Sequence, residues 1–314
     1  NKVIDTGTID KNKTNTYSLR VWIDSSAENE VMGKILSKEL RVEATQASTT
    51  KTTAMCKRAT TLHKEVCTNS DSTKYCQADG YTLNSEIEYG SLGTKGTLTS
   101  GDAFDCDVNG DGEYDPEAER FYYVSNATNG ITSDNDTAVL IYYSNVSGGL
   151  PSNSTTYAYY KSNENWHGPV TAIKQLPTTK QWKTTLTNTK RQITTETGTT
   201  KTSGGTLPTA FSYEGYAARL LTAQEVNAGC GFTVGSYNNG ELSTKCKYLM
   251  ENTKYSNASN KAYGEWLESP RTDYSNYVWH VNSYRRNVDY YHANYADGYG
   301  ARPTIEVAKS DISY

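Results

Sequence analysis

Apolar and polar positions alternate with strand period in two places near the start of the chain, Thr16 to Ile23 and Lys38 to Ala44. Asp24 to Gly33, between them, is acidic and polar. Two strands are marginal alone, so residues 1–46 read as part of a β-sandwich whose other strands lie upstream or in another chain. A Thr- and Ser-rich linker, 47–55, follows. Apolar residues at Ala54, Met55, Ala59, Leu62 and Val66 fall near helical spacing and predict a helix. Phe121 to Val124 and Ala138 to Tyr143 predict strands, while Asn84 to Gly101 is Gly- and Thr-rich loop. Residues 144–205 are mostly polar, with a helix over Ala172 to Trp182 that Pro177 interrupts. Thr222 followed by Glu225 is a capping box and marks a helix start. This mixture defines an α+β chain.

The C-terminal stretch departs from the rest in its alphabet. From Tyr274 to Tyr299 run seven tyrosines, four asparagines, two histidines and the pair Arg285–Arg286. Between Thr272 and Ile305 there is no Lys, Glu, Gln or Met. Tyr gives a large amphipathic contact at low entropy cost, Asn and Ser adapt their hydrogen bonds, and Arg anchors, so the stretch reads as a binding surface. Its alphabet is also what an AAY asparagine codon yields when the leading bases are randomised and the last stays a pyrimidine. Only Trp279 breaks that filter, and it reads as fixed scaffold. Residues 272–300 are therefore a variable region. Rough alternation along it assigns Tyr274, Asn276, Tyr284, Arg285, Asn287, Asp289, Tyr291, His292, Asn294 and Tyr295 to one exposed ligand-binding face. Trp266, Trp279, Val281 and Val288 are assigned to the core.

Three motifs frame this stretch. Ala218-Arg219-Leu220-Leu221-Thr222-Ala223-Gln224-Glu225 opens the C-terminal third, Gly264-Glu265-Trp266-Leu267-Glu268-Ser269-Pro270 precedes the variable region, and Gly300-Ala301-Arg302-Pro303-Thr304-Ile305-Glu306-Val307 closes it. Their order resembles the C-type-lectin-like fold, in the branch shared by formylglycine-generating enzymes and the variable proteins of diversity-generating retroelements. The resemblance implies a C-type-lectin-like ligand-binding domain over 56–314, preceded by the short β segment. It carries the fold and not the enzyme activity, because those enzymes rely on cysteines late in the chain and nothing after Cys246 fills that role.

Composition narrows the function. Over 314 residues the hydrophobic content is 35 % and the net charge −4, with no basic block, which argues against nucleic acid as a partner. No run of 18 apolar residues occurs, so no membrane span is expected. The chain opens at Asn1 without an initiator Met or signal peptide, as expected of a processed product. Catalytic signatures such as H-E-x-x-H, G-x-S-x-G and C-x-x-C are absent, so no enzyme is expected. Six cysteines allow fifteen pairings. Cys67/Cys76 and Cys230/Cys246 each bracket a short polar loop, and pairing them leaves Cys56 with Cys106. Disulfides place the protein outside the cell or on its surface.

One motif has specific chemistry. Asp107-Val108-Asn109-Gly110-Asp111-Gly112 follows the D-x-N-x-D-G pattern of loops that wrap Ca²⁺. Asp107, Asn109 and Asp111 supply side-chain oxygens, Glu113 its carbonyl, and Asp115 an oxygen directly or through water. The acid that a helix–loop–helix site places at position twelve falls on Ala118, with Glu117 and Glu119 beside it. That favours a dockerin- or thrombospondin-like loop, and a structural ion. The expected function is a secreted or surface-anchored protein that binds a protein or other surface ligand through its variable face. The alternative is a structural subunit of an extracellular fibre or surface layer, assembled through the N-terminal strands.

Overall fold

The computed structural model describes residues 54–68, 71–73, 75–128, 133–207, 211–231, 240–242, 244–253 and 262–314. The strands expected within residues 1–46, and the linker up to Thr53, lie outside them. In chain order the main elements are β1 (Cys56–Arg58), β2 (Ala103–Cys106), β3 (Arg120–Thr128), β4 (Ser133–Tyr142), α1 (Ala223–Cys230) and β5 (Gly240–Glu241). There follow β6 (Gly264–Pro270), β7 (Tyr277–Asn282), β8 (Asn287–His292), β9 (Tyr299–Gly300), β10 (Thr304–Ala308) and β11 (Ile312–Ser313). Strand outweighs helix, and several sheets share the chain, so the architecture is α+β with a strong β bias.

The larger sheet has the order β10-β4-β3-β2-β1-β11. Its outermost strands are consecutive in the chain, separated only by residues 309–311. From Ala308 to Ile312 the backbone reaches at most about 14 Å, whereas five inter-strand spacings laid flat need about 24 Å. The sheet therefore curls until its two edges meet at the C-terminal segment, which pairs with β4 through β10 and with β1 through β11.

Both faces of this sheet are covered. Phe104, Phe121, Tyr123, Leu140 and Ile305 join one apolar cluster, and Ala103, Tyr122, Val124, Val139 and Ile141 join the other. Burial on both sides explains why these strands read as continuous apolar runs, a pattern that does not depend on alternation. Helix α1 starts at its capping box, with Thr222 accepting from the Glu225 amide at 3.1 Å and the Glu225 carboxylate accepting from the Thr222 amide at 3.0 Å. It packs Val226 and Cys230 into the second cluster with Tyr248 and Leu249.

The helix expected between Ala54 and Val66 is absent; β1 and a second strand, Lys64–Val66, occupy that stretch. Cys56 and Arg58 pair with Cys106 and Phe104, so long-range ladder bonds override the local spacing. Over 172–182, only a short helix, Val170–Ile173, forms ahead of Pro177. The disulfides are Cys56–Cys106, Cys67–Cys76 and Cys230–Cys246.

Charged residues of the three framing motifs meet inside the protein. Arg219 bonds Glu225 (2.6 and 2.8 Å) and Glu306 (2.7 Å), and Arg191 spans Glu306 and Glu268 at 3.2 Å each. The Tyr213 hydroxyl donates to Glu268 at 2.7 Å. Arg302 reaches Glu265 at 3.3 Å and the carbonyls of Tyr142, Tyr248 and Leu249. All six glutamates and arginines of the motifs, Arg219, Glu225, Glu265, Glu268, Arg302 and Glu306, are buried. They fix the frame on which the smaller sheet is mounted.

Candidate functional site

The smaller sheet, β5-β8-β7-β6-β9, carries the variable stretch. Its foundation is tight. At Gly264, the first residue of β6, a Cβ would lie 1.8 Å from the Val281 carbonyl oxygen, so only glycine lets β6 and β7 close. On the other side the Asn165 amide lies within hydrogen-bond reach of the carbonyls of Arg271 (3.0 Å), Tyr274 (2.5 Å) and Tyr277 (2.7 Å), holding the turn into β7. Trp266, Trp279, Val281 and Val288 are all buried.

None of the ten sequence-assigned ligand residues is buried. Tyr274, Arg285, Tyr291 and Asn294 are exposed, and Asn276, Tyr284, Asn287, Asp289, His292 and Tyr295 are half-buried. Tyr274 and Tyr291, at 49 % and 42 %, are among the most exposed large apolar side chains. They do not form one face. In the β7–β8 ladder Asn282 pairs with Asn287, His280 with Asp289 and Val278 with Tyr291, while Trp279 pairs with Tyr290 and Tyr277 with His292. Cross-strand partners share a face, so Asn287, Asp289 and Tyr291 project to one side and His292 to the other.

Two patches result. In the first, Tyr295 packs on Tyr291 at 4.5 Å, Arg285 sits in the β7–β8 turn with its amide bonded to Asn282 (3.0 Å), and Asp289 lies beside Tyr299. Burial, then the Asp289 carboxylate, pushes the Tyr299 hydroxyl far above its ordinary range, so it stays a neutral donor. Tyr284 packs nearby on Tyr263, 5.7 Å between rings. In the second patch His292 Nδ1 lies 3.1 Å from the Asn276 amide nitrogen, and Tyr277 packs against His292, Tyr290 and Tyr274 at 4.6, 5.3 and 5.1 Å. Arg271 lies over the Tyr290 ring at 3.7 Å. Sequence reasoning passed over Tyr277, Tyr290 and Arg271; pairing the alternation of β8 with that of β7 is the signal that finds them.

His280 is the anomaly of this sheet. Its imidazole is fully buried, packed against Tyr299 at 3.7 Å and edge-on to Trp266 at 5.8 Å, and neither ring nitrogen makes a hydrogen bond. Burial, and then Arg285, holds it well below the usual histidine range, so the ring is neutral.

The acidic loop folds around its own amides. Asp107 accepts from the amides of Asp111 (3.0 Å) and Gly112 (2.9 Å), Asn109 from that of Asp111 (2.8 Å), and Asp111 from that of Glu113 (2.9 Å). Beneath it, buried Glu119 accepts from the amides of Asn109 (3.3 Å) and Asp115 (3.0 Å), while Asp115 Oδ1 accepts from the Glu117 amide. Burial, with Asp107 and Asp111 close by, raises the Glu119 carboxyl above the ordinary range. Among the described residues no three His, Cys, Asp or Glu side chains converge as a metal cluster.

No protein-family model, curated protein or solved structure matches this chain. Among the described residues no helix is long and apolar enough to cross a membrane. Three disulfides fit a protein that works outside a reducing compartment.

Proposed function

We propose that this is an extracellular or cell-surface ligand-binding protein whose C-type-lectin-like domain displays residues diversified by a retroelement. The carrying observation is the exposure of the residues assigned to the ligand. The residues that the codon filter and alternation assign to the ligand are all at least partly exposed, and the four assigned to scaffold are all buried. Binding, not catalysis, is the role that this alphabet of Tyr, Asn, Asp and Arg supports. The ligand is a protein or another molecule of a cell surface.

The acidic loop suits a structural Ca²⁺ held by Asp107, Asn109, Asp111, the Glu113 carbonyl and Asp115. The fit rests on chemistry: hard oxygen donors at alternate positions, each with a lone pair beyond its amide bond, and a neighbouring Glu119 whose ionisation the loop acids oppose. Bound calcium would brace the loop.

Sequencing DNA next to the gene tests the diversification reading. A reverse transcriptase and a near-identical template repeat covering residues 272–300 are expected; sister genes that vary elsewhere would refute it. Once a ligand is in hand, Arg285→Ala with Tyr291→Ala should weaken binding by about 2 kcal/mol or more per hot spot while the melting temperature holds.

A further inference from the structure

The chain comes into the described domain at Ala54, with 53 residues before it, and Cys56 is the first residue of β1. Three ladder positions join β1 to β2, and two join it to β11. The hydrogen bonds of such a ladder each contribute little net. A pull on the upstream chain loads them in turn, beginning at Cys56, so on hydrogen bonds alone β1 would strip from the sheet.

A covalent link stands where that stripping would start. Cys56 faces Cys106 in the β1–β2 ladder and is bonded to it, and both are wholly buried, away from solvent reductants. Cys67–Cys76 and Cys230–Cys246 join positions 9 and 16 apart, whereas this link spans 50 and lies where the chain comes in. The residues around it are held as well. The Asp107 amide donates to the Met55 carbonyl at 3.0 Å, the Tyr114 hydroxyl donates to the Ala54 carbonyl, and Lys57 Nζ lies 4.2 Å from the centre of the Tyr114 ring. Behind β1, strand β2 is internal to the sheet, with Phe104 in one apolar cluster and Ala103 in the other.

We propose that this junction is a tension anchor. A pull on the chain upstream of Ala54 stops at the Cys56–Cys106 link and passes through Cys106 into the large sheet, and β1 stays seated. Residues 57–105 lie off the covalent path and are spared extension. The anchor is independent of what the variable stretch binds.

Optical tweezers on the whole chain test this, with one handle at Asn1 and the other on p-azidophenylalanine replacing the exposed Tyr291. Cys56→Ser with Cys106→Ser should show an added early step that the wild type lacks, below the main rupture force. Its length should be at most about 18 nm, the 50-residue span fully extended. Cys67→Ser with Cys76→Ser also removes a disulfide, yet should show no such step. If the first serine pair does not fold, Cys56→Ala with Cys106→Val keeps the buried site apolar and takes its place. Rupture of the unlinked variant in the wild-type pattern at the wild-type force would overturn the proposal. So would the same early step in the Cys67 and Cys76 variant, because loss of stability alone would then produce it.

Discussion

Arg219 Nε lies 2.7 Å from Glu306 Oε1 in the buried interior, joining the segment before helix α1 to β10. The remaining nitrogens of Arg219 go to Glu225, and Glu306 is shared with Arg191. Breaking such a pair strands a buried charge at a cost of about 3–5 kcal/mol. Arg219→Met should lose stability of that order in urea unfolding. A loss within about 0.5 kcal/mol, the range of an ordinary surface substitution, would show the network to be dispensable.

Glu265 sets a pH dependence of the opposite sense to the usual carboxylate. Burial lifts its carboxyl to about 7, although Arg302 pulls it down. Its folded value exceeds its unfolded one, so its contribution is complete below the ordinary carboxylate range and fades as pH rises through about 7. Between pH 5.5 and 7.5 the wild type should lose on the order of 2 kcal/mol more than Glu265→Gln. Parallel pH profiles for the two proteins would refute this.

His280 should be replaceable at a profit. A buried imidazole with both nitrogens unbonded carries an uncompensated desolvation cost. His280→Leu, close in volume, should raise stability by about 1 kcal/mol, read as a higher melting temperature. The gain should widen as pH falls, because the folded-state histidine value is depressed and acid destabilises the wild type through this ring. A lower melting temperature at neutral pH would mean that the ring packs better than an aliphatic chain.

The acidic loop should respond to calcium. Adding Ca²⁺ to chelator-stripped protein should raise the melting temperature by mass action, and Asp111→Ala should abolish the rise. No response at millimolar Ca²⁺ would exclude the ion.

Local signals were readable from the chain. The capping box at Thr222 and Glu225 needs only three residues of context, and Phe121 to Val124 is apolar because β3 is covered on both faces. Apart from the Cys56–Cys106 link, which is left once the two short-loop pairs are made, non-local events were not readable. Nothing near Cys56 announces that Cys106 will pair with it in a ladder and draw 54–66 out of helix. Arg219, Glu265, Glu268, Arg302 and Glu306 look like surface charges one at a time, and only folding brings them together. The binding stretch was legible in its alphabet, but the division into two patches depends on which residue of β7 stands opposite His292.

The curled sheet has a consequence for when this protein becomes itself. Both of its edges are sealed by one stretch, Thr304 to Ser313, which begins almost 250 residues after Cys56 of β1. Until that stretch has left the ribosome, β4 and β1 keep unpaired rims and the ring stays open. A sheet whose two rims wait on one late segment stays open while most of its strands are already made, and its closure is a long-range event.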